Sequence, residues 1–339
     1  MKKLTLLDKI LYFINSLLTT LLLLSFLLPY ISPKTIPAFA ILSLFVPILI
    51  ILNIAFSIYW LLKLKKQFLL SFVILIVGWL YTSPFYKISS INSSLNSDLK
   101  VMSYNVKTFD FFTKKKETQT NKTSQNGFDF INAQDLDVLV LQEYYQSKNN
   151  NFSFPYKYVK LKSKNSNYGM AIYSKYKIIN SGSLNLKSSG NNIIFADILK
   201  EKDTIRIYNT HFESLRIKPN EENFGEENSE KLIERVSTSF KKQAAQTSLF
   251  LNHEQQWKGK KIICGDFNNT AYSWMYHTIF KNKKDAFIEA GKGFGKTYNY
   301  WFPLRIDFIL TDKNAIINQF LTFSKEYSDH FPIQAKINW

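Results

Sequence analysis

The stretch KIICGDFN, residues 261–268, decides the fold. Lys261–Cys264 is a short apolar run closed by a turn signal, which reads as a buried strand. Gly265 permits close backbone approach. Asp266 can hold or deprotonate a water, and Asn268 can hydrogen-bond a phosphoryl oxygen without adding charge. A plain structural turn can use the same four residues, but their place at the end of a buried-looking strand favours chemistry.

Outward from it the pattern repeats. Val101–Val106, Val138–Gln142, Gly169–Tyr173, Asn192–Ile198, Thr204–Thr210, Ile306–Leu310 and Ile333–Ile337 also read as strands. Several end in a residue suited to metal or phosphate chemistry. Asn105 closes VMSYN, Glu143 follows LVLQ, and His211 ends the run IRIYNTH. Asp307 sits in RIDFIL, and Asp329 and His330 in SDHFPI. A carboxylate at a core boundary must find a partner or a metal. A histidine oriented by a carboxylate can supply positive charge or transfer a proton. His253 and His277 lie in helix-like or loop contexts and read as ordinary surface residues. Ser229 to about Trp257 has helical character, so many strands with few helices imply a two-layered β core flanked by helices. There is no internal repeat. Lys114–Asn126 and Asn220–Glu230 read as polar loops.

The N-terminal third is different material. Ile10–Leu28, Ala38–Leu62 and Phe68–Phe85 are apolar, and the first two reach the ~18–20 residues that cross a bilayer as helix. Neither carries an ionisable side chain, which hydrocarbon disfavours. Trp79 and Tyr81 sit near the end of the third, where interfacial aromatics belong. Ala38-Phe39-Ala40 resembles a signal-peptide cleavage site, but it lies far from the start and more apolar sequence follows. A retained anchor of three transmembrane helices over 1–88 is expected, then a Ser/Asn-rich linker, 89–98, and a catalytic domain, 99–339. Lys2, Lys3, Lys9, Lys63, Lys65 and Lys66 place the N-terminus and the second connection in the cytoplasm. Three crossings then put the C-terminal domain outside it, for a multi-pass protein of the inner membrane.

Residues 1–98 hold eight lysines and two carboxylates, Asp8 and Asp98, so +11 of the formal +17 belongs to the remainder. Such a surplus favours anionic partners: nucleic acid, phosphate esters or lipid head groups. The one cysteine, Cys264, rules out an intramolecular disulfide and a zinc site built on a cysteine cluster.

The pieces SYN, LQE, GMAIYSK, NTH, GDFN, RIDFIL and SDHFP occur in this order across residues 101–333. In that set the chain resembles the endonuclease/exonuclease/phosphatase superfamily, which includes DNase-I-like nucleases, inositol-phosphate phosphatases and neutral sphingomyelinases. The resemblance implies an α/β fold, a four-layer α/β/β/α sandwich with the active site at one rim. Glu143 is then the principal ligand of Mg²⁺ or Mn²⁺, with Asn105 nearby and Asp329 contributing. Asp266 positions or deprotonates the nucleophilic water, Asn268 orients it and the phosphate, and Asp307 orients His330. His211 contacts the scissile phosphate or assists the leaving group, and no covalent enzyme intermediate is required. Lys107 departs from the acidic residue usual at that place in base-excision members. The expected activity is phosphoester hydrolysis, with nuclease action on DNA or RNA ahead of sphingomyelinase-like or inositol-phosphate hydrolysis. A noncatalytic scaffold of the same fold ranks below both.

Overall fold

The computed structural model describes residues 4–110, 117–147, 150, 152–217 and 229–339. The chain divides into two compact units. One comprises Met1–Phe85, Arg216–Ala244 and Thr270–Thr278; the other comprises Tyr86–Leu215, Ala245–Asn269 and Ile279–Trp339.

In the first unit, helix α1 (Leu6–Ser25) opens with a reciprocal cap between Thr5 and Asp8. Asp8 also accepts from Lys63 Nζ, at 2.5 Å. A short α2 (Pro37–Ala40) leads to α3 (Leu42–Leu62), and α4 (Phe68–Tyr81) follows. Two helical stretches, Leu6–Tyr30 and Pro37–Leu62, are long and apolar enough to cross a membrane. The third expected span is a helix of only 14 residues, about 21 Å at 1.5 Å per residue, against a hydrocarbon core of about 30 Å. Among the described residues, two of the three expected spans therefore have the length to cross, and the third does not. The three helices share one buried polar cluster: Thr19 Oγ1 donates to Asn53 Oδ1 (2.7 Å), and Ser71 Oγ to Asn15 Oδ1 (2.6 Å) and Asn53 Oδ1 (3.0 Å). Such small polar side chains join helices where apolar surfaces alone give little preference.

The second unit holds β1 (Leu99–Asn105), α5 (Glu117–Asn132), β2 (Val138–Tyr145), β3 (Tyr156–Leu161), β4 (Tyr168–Ser174), β5 (Lys177–Ser183), β6 (Ile193–Lys200) and β7 (Asp203–His211). Helix α6 (Ser229–Glu254), shared between the units, precedes β8 (Lys261–Asp266). After α7 (Trp274–Phe280) come β9 (Lys283–Asp285), α8 (Ala286–Ala290), β10 (Asp307–Asp312), β11 (Ile316–Thr322) and β12 (Ile333–Asn338). Two six-stranded sheets result, ordered β11-β12-β1-β2-β4-β3 and β5-β6-β7-β8-β10-β9.

Alternation along each strand builds the layers. Val101, Val138, Val140 and Ile172 face Ile194, Ile207, Ile262 and Ile309 across the interior. Met102, Tyr104, Leu139 and Leu141 point the other way, onto Phe128 and Ile131 of α5. On the far side, Phe250 of α6 lies edge-on to Tyr208, with ring centroids 5.1 Å apart. The expected α/β/β/α order is thus present. Each sheet has one parallel pair at its centre, β1 with β2 and β7 with β8, so the ends of four strands reach one rim. β10, antiparallel to β8, begins where β8 ends.

Beneath that rim a buried polar tie joins the sheets. Gln142 Nε2 donates to Asn209 Oδ1 (2.9 Å), and Asn209 Nδ2 donates to the carbonyls of Leu141 (2.8 Å) and Ala171 (3.0 Å).

Three expectations change. Residues 89–98 are not a free linker, because Ser93 N donates to Asn318 O and Asp98 Oδ1 accepts from Asn318 Nδ2. Residues 117–126 of the expected polar loop lie in α5, and 229–230 of the second open α6, while 114–116 and 220–228 lie outside the described residues. His253 is not a plain surface residue, since its Nδ1 lies 3.0 Å from the Tyr208 hydroxyl. His277 rests edge-on against Tyr30 at 5.2 Å.

Replacing Asn209 by Ala removes the amide that bonds both sheet carbonyls and leaves Gln142 Nε2 only its longer bond to Ser103 Oγ at 3.3 Å, at a cost of about 1–3 kcal/mol for each buried group left unpaired. The variant is expected to unfold at a clearly lower denaturant midpoint with an unchanged slope; an unaltered midpoint would show that the tie is idle.

Candidate active site

Each side chain arrives at the rim for a local reason. Asn105 and His211 end β1 and β7, and register sets His211 beside Asp266 and Asp266 beside Asp307. Glu143 sits in a bulge of β2, where pairing shifts between Leu141 and Tyr144, and its φ is +48°. A bulge re-aims a side chain, and a left-handed non-glycine residue stores strain that surrounding structure must hold. Gly265, at φ +138°, is required outright: a Cβ there would stand 1.9 Å from Thr210 O. His330 lies three residues before β12, and Ser328 Oγ pins that segment to Asn105 O at 2.8 Å.

Asp266 is the hub. Its Oδ1 accepts from Asn268 N (2.6 Å) and its Oδ2 from Asn105 Nδ2 (3.0 Å). His211 Nε2 lies 3.6 Å and His330 Nε2 3.8 Å from that Oδ2. Asn105 Nδ2 also reaches Glu143 Oε1 at 3.3 Å, and His211 Nε2 lies 3.8 Å from the same oxygen. His330 Nδ1 bonds Asp307 Oδ2 at 2.8 Å, while Thr297 Oγ1 accepts from Asp307 N. Tyr298 presents its ring edge-on to His330 at 5.1 Å.

Burial and charge grade these groups. Burial and the neighbouring His330 charge push His211 down to about 3, so it is neutral. Burial opposes charge on His330 too, but Asp307 and Asp266 outweigh it and raise its pKa to about 10, so it is an imidazolium. Burial raises Asp266 well above the usual carboxylate range, against the pull of His330. Burial likewise raises Glu143, with His330 and the Asn105 amide opposing. Two histidines flank one carboxylate and hold opposite protonation states.

Six of the eight expected residues thus converge: Asn105, Glu143, His211, Asp266, Asp307 and His330. The other two are turned to local duties. Asn268, at φ +50°, gives its Nδ2 to Phe212 O at 3.0 Å. Asp329 accepts from Lys107 Nζ at 2.8 Å. Lys107, Thr108 and Phe109 all have positive φ, so the turn after Asn105 is strained to bring this ammonium back. Sequence reasoning assigns no role to Gln142, Asn209, Thr297, Ser328 or Tyr298. For Gln142 a signal exists: it is an amide directly after the apolar run Val138–Leu141.

The donor chemistry suits a divalent ion. Glu143 and Asp266 share a single amide donor, Asn105 Nδ2, and burial raises both, so their charge is only partly balanced. Carboxylate oxygens of this kind fit Mg²⁺ or Mn²⁺. Asp266, Asp307 and His330 also bring ligand atoms within 4.8 Å of one another. An imidazolium already bonded to Asp307 has no lone pair to give, which favours the Glu143 side. Asn105, whose Oδ1 accepts from Lys107 N, presents N–H to the pocket in place of the expected ligand oxygen.

A family model described as "Endonuclease/Exonuclease/phosphatase family" matches residues 102–330, and a domain of unknown function matches residues 8–85. No curated protein matches the chain. Solved structures share the fold. One is an endonuclease/exonuclease/phosphatase from Bacteroides vulgatus, 19% identical with TM-score 0.53, covering 72% of this chain and 99% of that one. D. rerio TDP2 complexed with single strand DNA product is 15% identical with TM-score 0.54, covering 72% and 100%. The human Nocturnin catalytic domain with bound sulfate is 17% identical with TM-score 0.51, covering 73% and 96%.

A histidine held charged by Asp307 contributes stability that is complete below its ordinary pKa of 6.5 and is lost as pH rises through about 10. In the metal-free protein, NMR is expected to show the His330 ring unchanged between pH 6 and 8. In Asp307→Asn it should titrate at lower pH. A wild-type ring that titrates near 6.5 would refute the assignment.

Proposed function

The chain belongs to the endonuclease/exonuclease/phosphatase family, and from that premise we propose that it is a membrane-anchored, divalent-metal-dependent phosphoesterase acting by direct attack of water on phosphorus. The observation that carries the proposal is the geometry at Asp266: a buried carboxylate with His211 Nε2 at 3.6 Å, His330 Nε2 at 3.8 Å and the Asn105 amide shared with Glu143.

Asp266 is the base, since a carboxylate raised toward neutrality accepts a proton from a positioned water better than an ordinary one. As the water oxygen bonds phosphorus, its proton passes to Asp266 and the bond to the leaving oxygen breaks. His330, held by Asp307, places positive charge against the developing negative charge. His211, being neutral, offers a hydrogen bond to a phosphoryl or leaving oxygen. Asn268 fixes the Asp266 carboxylate through its backbone N–H and stands next to the water's place. Mg²⁺ or Mn²⁺ would be held principally by Glu143, with Asp329 at its edge once released from Lys107 and Asn105 steadying the Glu143 carboxylate, and would supply charge stabilisation at phosphoryl oxygen.

A nucleic-acid phosphodiester is the favoured substrate. The +11 charge of residues 99–339 suits it, and the fold relative TDP2 was solved with a single-strand DNA product. The apolar helices favour a second reading, a phospholipid head group or inositol phosphate. A scaffold role accords poorly with six chemically competent side chains brought together at one rim. With Mg²⁺, the full chain is expected to hydrolyse DNA or RNA faster than sphingomyelin or inositol phosphates. Asp266→Asn and His330→Ala should each lower the rate by about 10²–10⁴. Turnover of none of these substrates, with metal bound normally, would favour the scaffold; near-normal rates in either variant would remove that residue's role.

The anchor reading has support inside the helical unit. A Cβ on Gly78 would lie 3.2 Å from the Phe26 ring, so α4 runs back to the end of α1 despite its shortness. Thr270 Oγ1 donates to Ser43 O, and Tyr272 packs with Leu22, Leu28 and Val46. With α4 taken as a third crossing and the lysine-marked end in the cytoplasm, the catalytic unit lies outside the cytoplasm; with two crossings it would lie inside. A phosphatase reporter fused after residue 98 is expected to be active; activity of a cytoplasm-restricted reporter alone would reverse the orientation.

A further inference from the structure

Residues 86–98, which the sequence presents as a linker, form a strap along the catalytic unit. Lys87 exchanges both backbone hydrogen bonds with Gly293 (2.9 and 2.8 Å), and Tyr86 lies edge-on to Phe294 at 4.9 Å. Farther on, Ser93 N donates to Asn318 O (2.9 Å), Lys336 Nζ to Ser94 Oγ (2.8 Å) and Asn338 Nδ2 to Ser97 Oγ (2.7 Å). Asp98 accepts from Asn318 Nδ2 at 2.7 Å.

The strap is held by its polar groups. Ser93, Ser94, Ser97 and Asp98 bond to the body of the unit, while Ile88, Ile91 and Leu95 remain 74%, 48% and 56% exposed. A strap that lay only on a protein in water would gain by turning those aliphatic side chains inward. Phe294, 45% exposed, adjoins the same strap through Tyr86. An exposed apolar strip of this kind marks a contact surface.

The occupant follows from chain length and composition. Tyr81 ends the last apolar helix, and Tyr86 begins the strap five residues later, a path of at most about 18 Å. The strip therefore begins within reach of the bilayer surface. We infer that Ile88, Ile91, Leu95 and Phe294 form a membrane-docking edge that sinks into the head-group layer and holds the catalytic unit against the bilayer. This rests on the anchored reading above. Apolar side chains beside a bilayer gain by entering its interface, and Lys87 adds attraction to anionic head groups. Through Gly293 the docked strap adjoins the segment carrying Thr297 and Tyr298, which meet Asp307 and His330. The pocket would thus be held at a fixed attitude to the membrane.

The test uses the full chain in phosphatidylcholine nanodiscs. Cys264 is the only cysteine and is buried, so one introduced cysteine can carry an environment-sensitive fluorophore. Labels at Ile88→Cys, Ile91→Cys and Leu95→Cys are expected to lose fluorescence to lipids spin-labelled near the head group. A label at Ile179→Cys, an exposed position on β5, should not. Leu17→Cys in α1, read with lipids spin-labelled in mid-chain, reports anchoring separately. Quenching at Leu17 without quenching at the three strap sites would overturn the docking edge and leave the anchor standing. Equal quenching at Ile179 and the strap would overturn the specific edge. No quenching at Leu17 would overturn the anchor and, with it, the docking inference.

Discussion

The rim of the two sheets is organised around the burial of one carboxylate. Asp266 is 1% exposed, and an ionised group at that depth needs compensation from neighbours that cannot move away. Here it has two hydrogen bonds, from Asn268 N and Asn105 Nδ2, and an imidazolium 3.8 Å off. These reduce the penalty without removing it, so the carboxylate stays hungry for a proton. Such a group is poised for base chemistry, and its neighbours follow from the same requirement: Asp307 keeps His330 charged, and burial keeps His211 neutral.

Holding this arrangement demands unusual backbone. Gly265 runs too close to Thr210 for any side chain, Glu143 and Asn268 take left-handed conformations, and the Lys107–Phe109 turn does so three times in succession. Rigid sheets over-determine these positions. The Gln142–Asn209 tie locks the two sheets directly below the site, so residues contributed by both keep one geometry. Farther out, the strap of residues 86–98 extends the catalytic unit up to the point where apolar helix gives way to polar chain.

Much of this was legible in the sequence where one strand carried the whole signal. KIICGDFN reads correctly because an apolar run, a necessary glycine and a polar end occur together. Of the central strands, β2 and β8 carry continuous apolar runs, Val138–Leu141 and Ile262–Cys264, while β1 and β7 mix apolar and polar residues and are legible through their β-branched and aromatic content. β3, β5, β9 and β11 were not: lysines, serines or Asn318-Gln319 interrupt them, as exposed edge positions permit, and β9 has three residues. The converging side chains were legible individually, but the hydrogen-bond allocations were not. That Asn268 spends its amide on Phe212 and Asp329 its charge on Lys107 depends on contacts 56 and 222 residues apart. The attachment of the strap is not legible in the sequence, because serine and asparagine usually mark solvent-facing linkers, and only tertiary contact shows Ser93, Ser94 and Ser97 bonded to the unit. The third apolar run, Phe68–Phe85, is longer in the sequence than its helix, which ends at Tyr81.

The central question is whether the partly balanced charge of Glu143 and Asp266 attracts a divalent cation. The most direct measurement is the melting temperature of the full chain in detergent, with and without Mn²⁺. Binding to the folded state alone raises it. The account predicts a rise for the wild type and none for Glu143→Gln. A melting temperature unmoved by Mn²⁺, or a rise as large in Glu143→Gln as in the wild type, would contradict it.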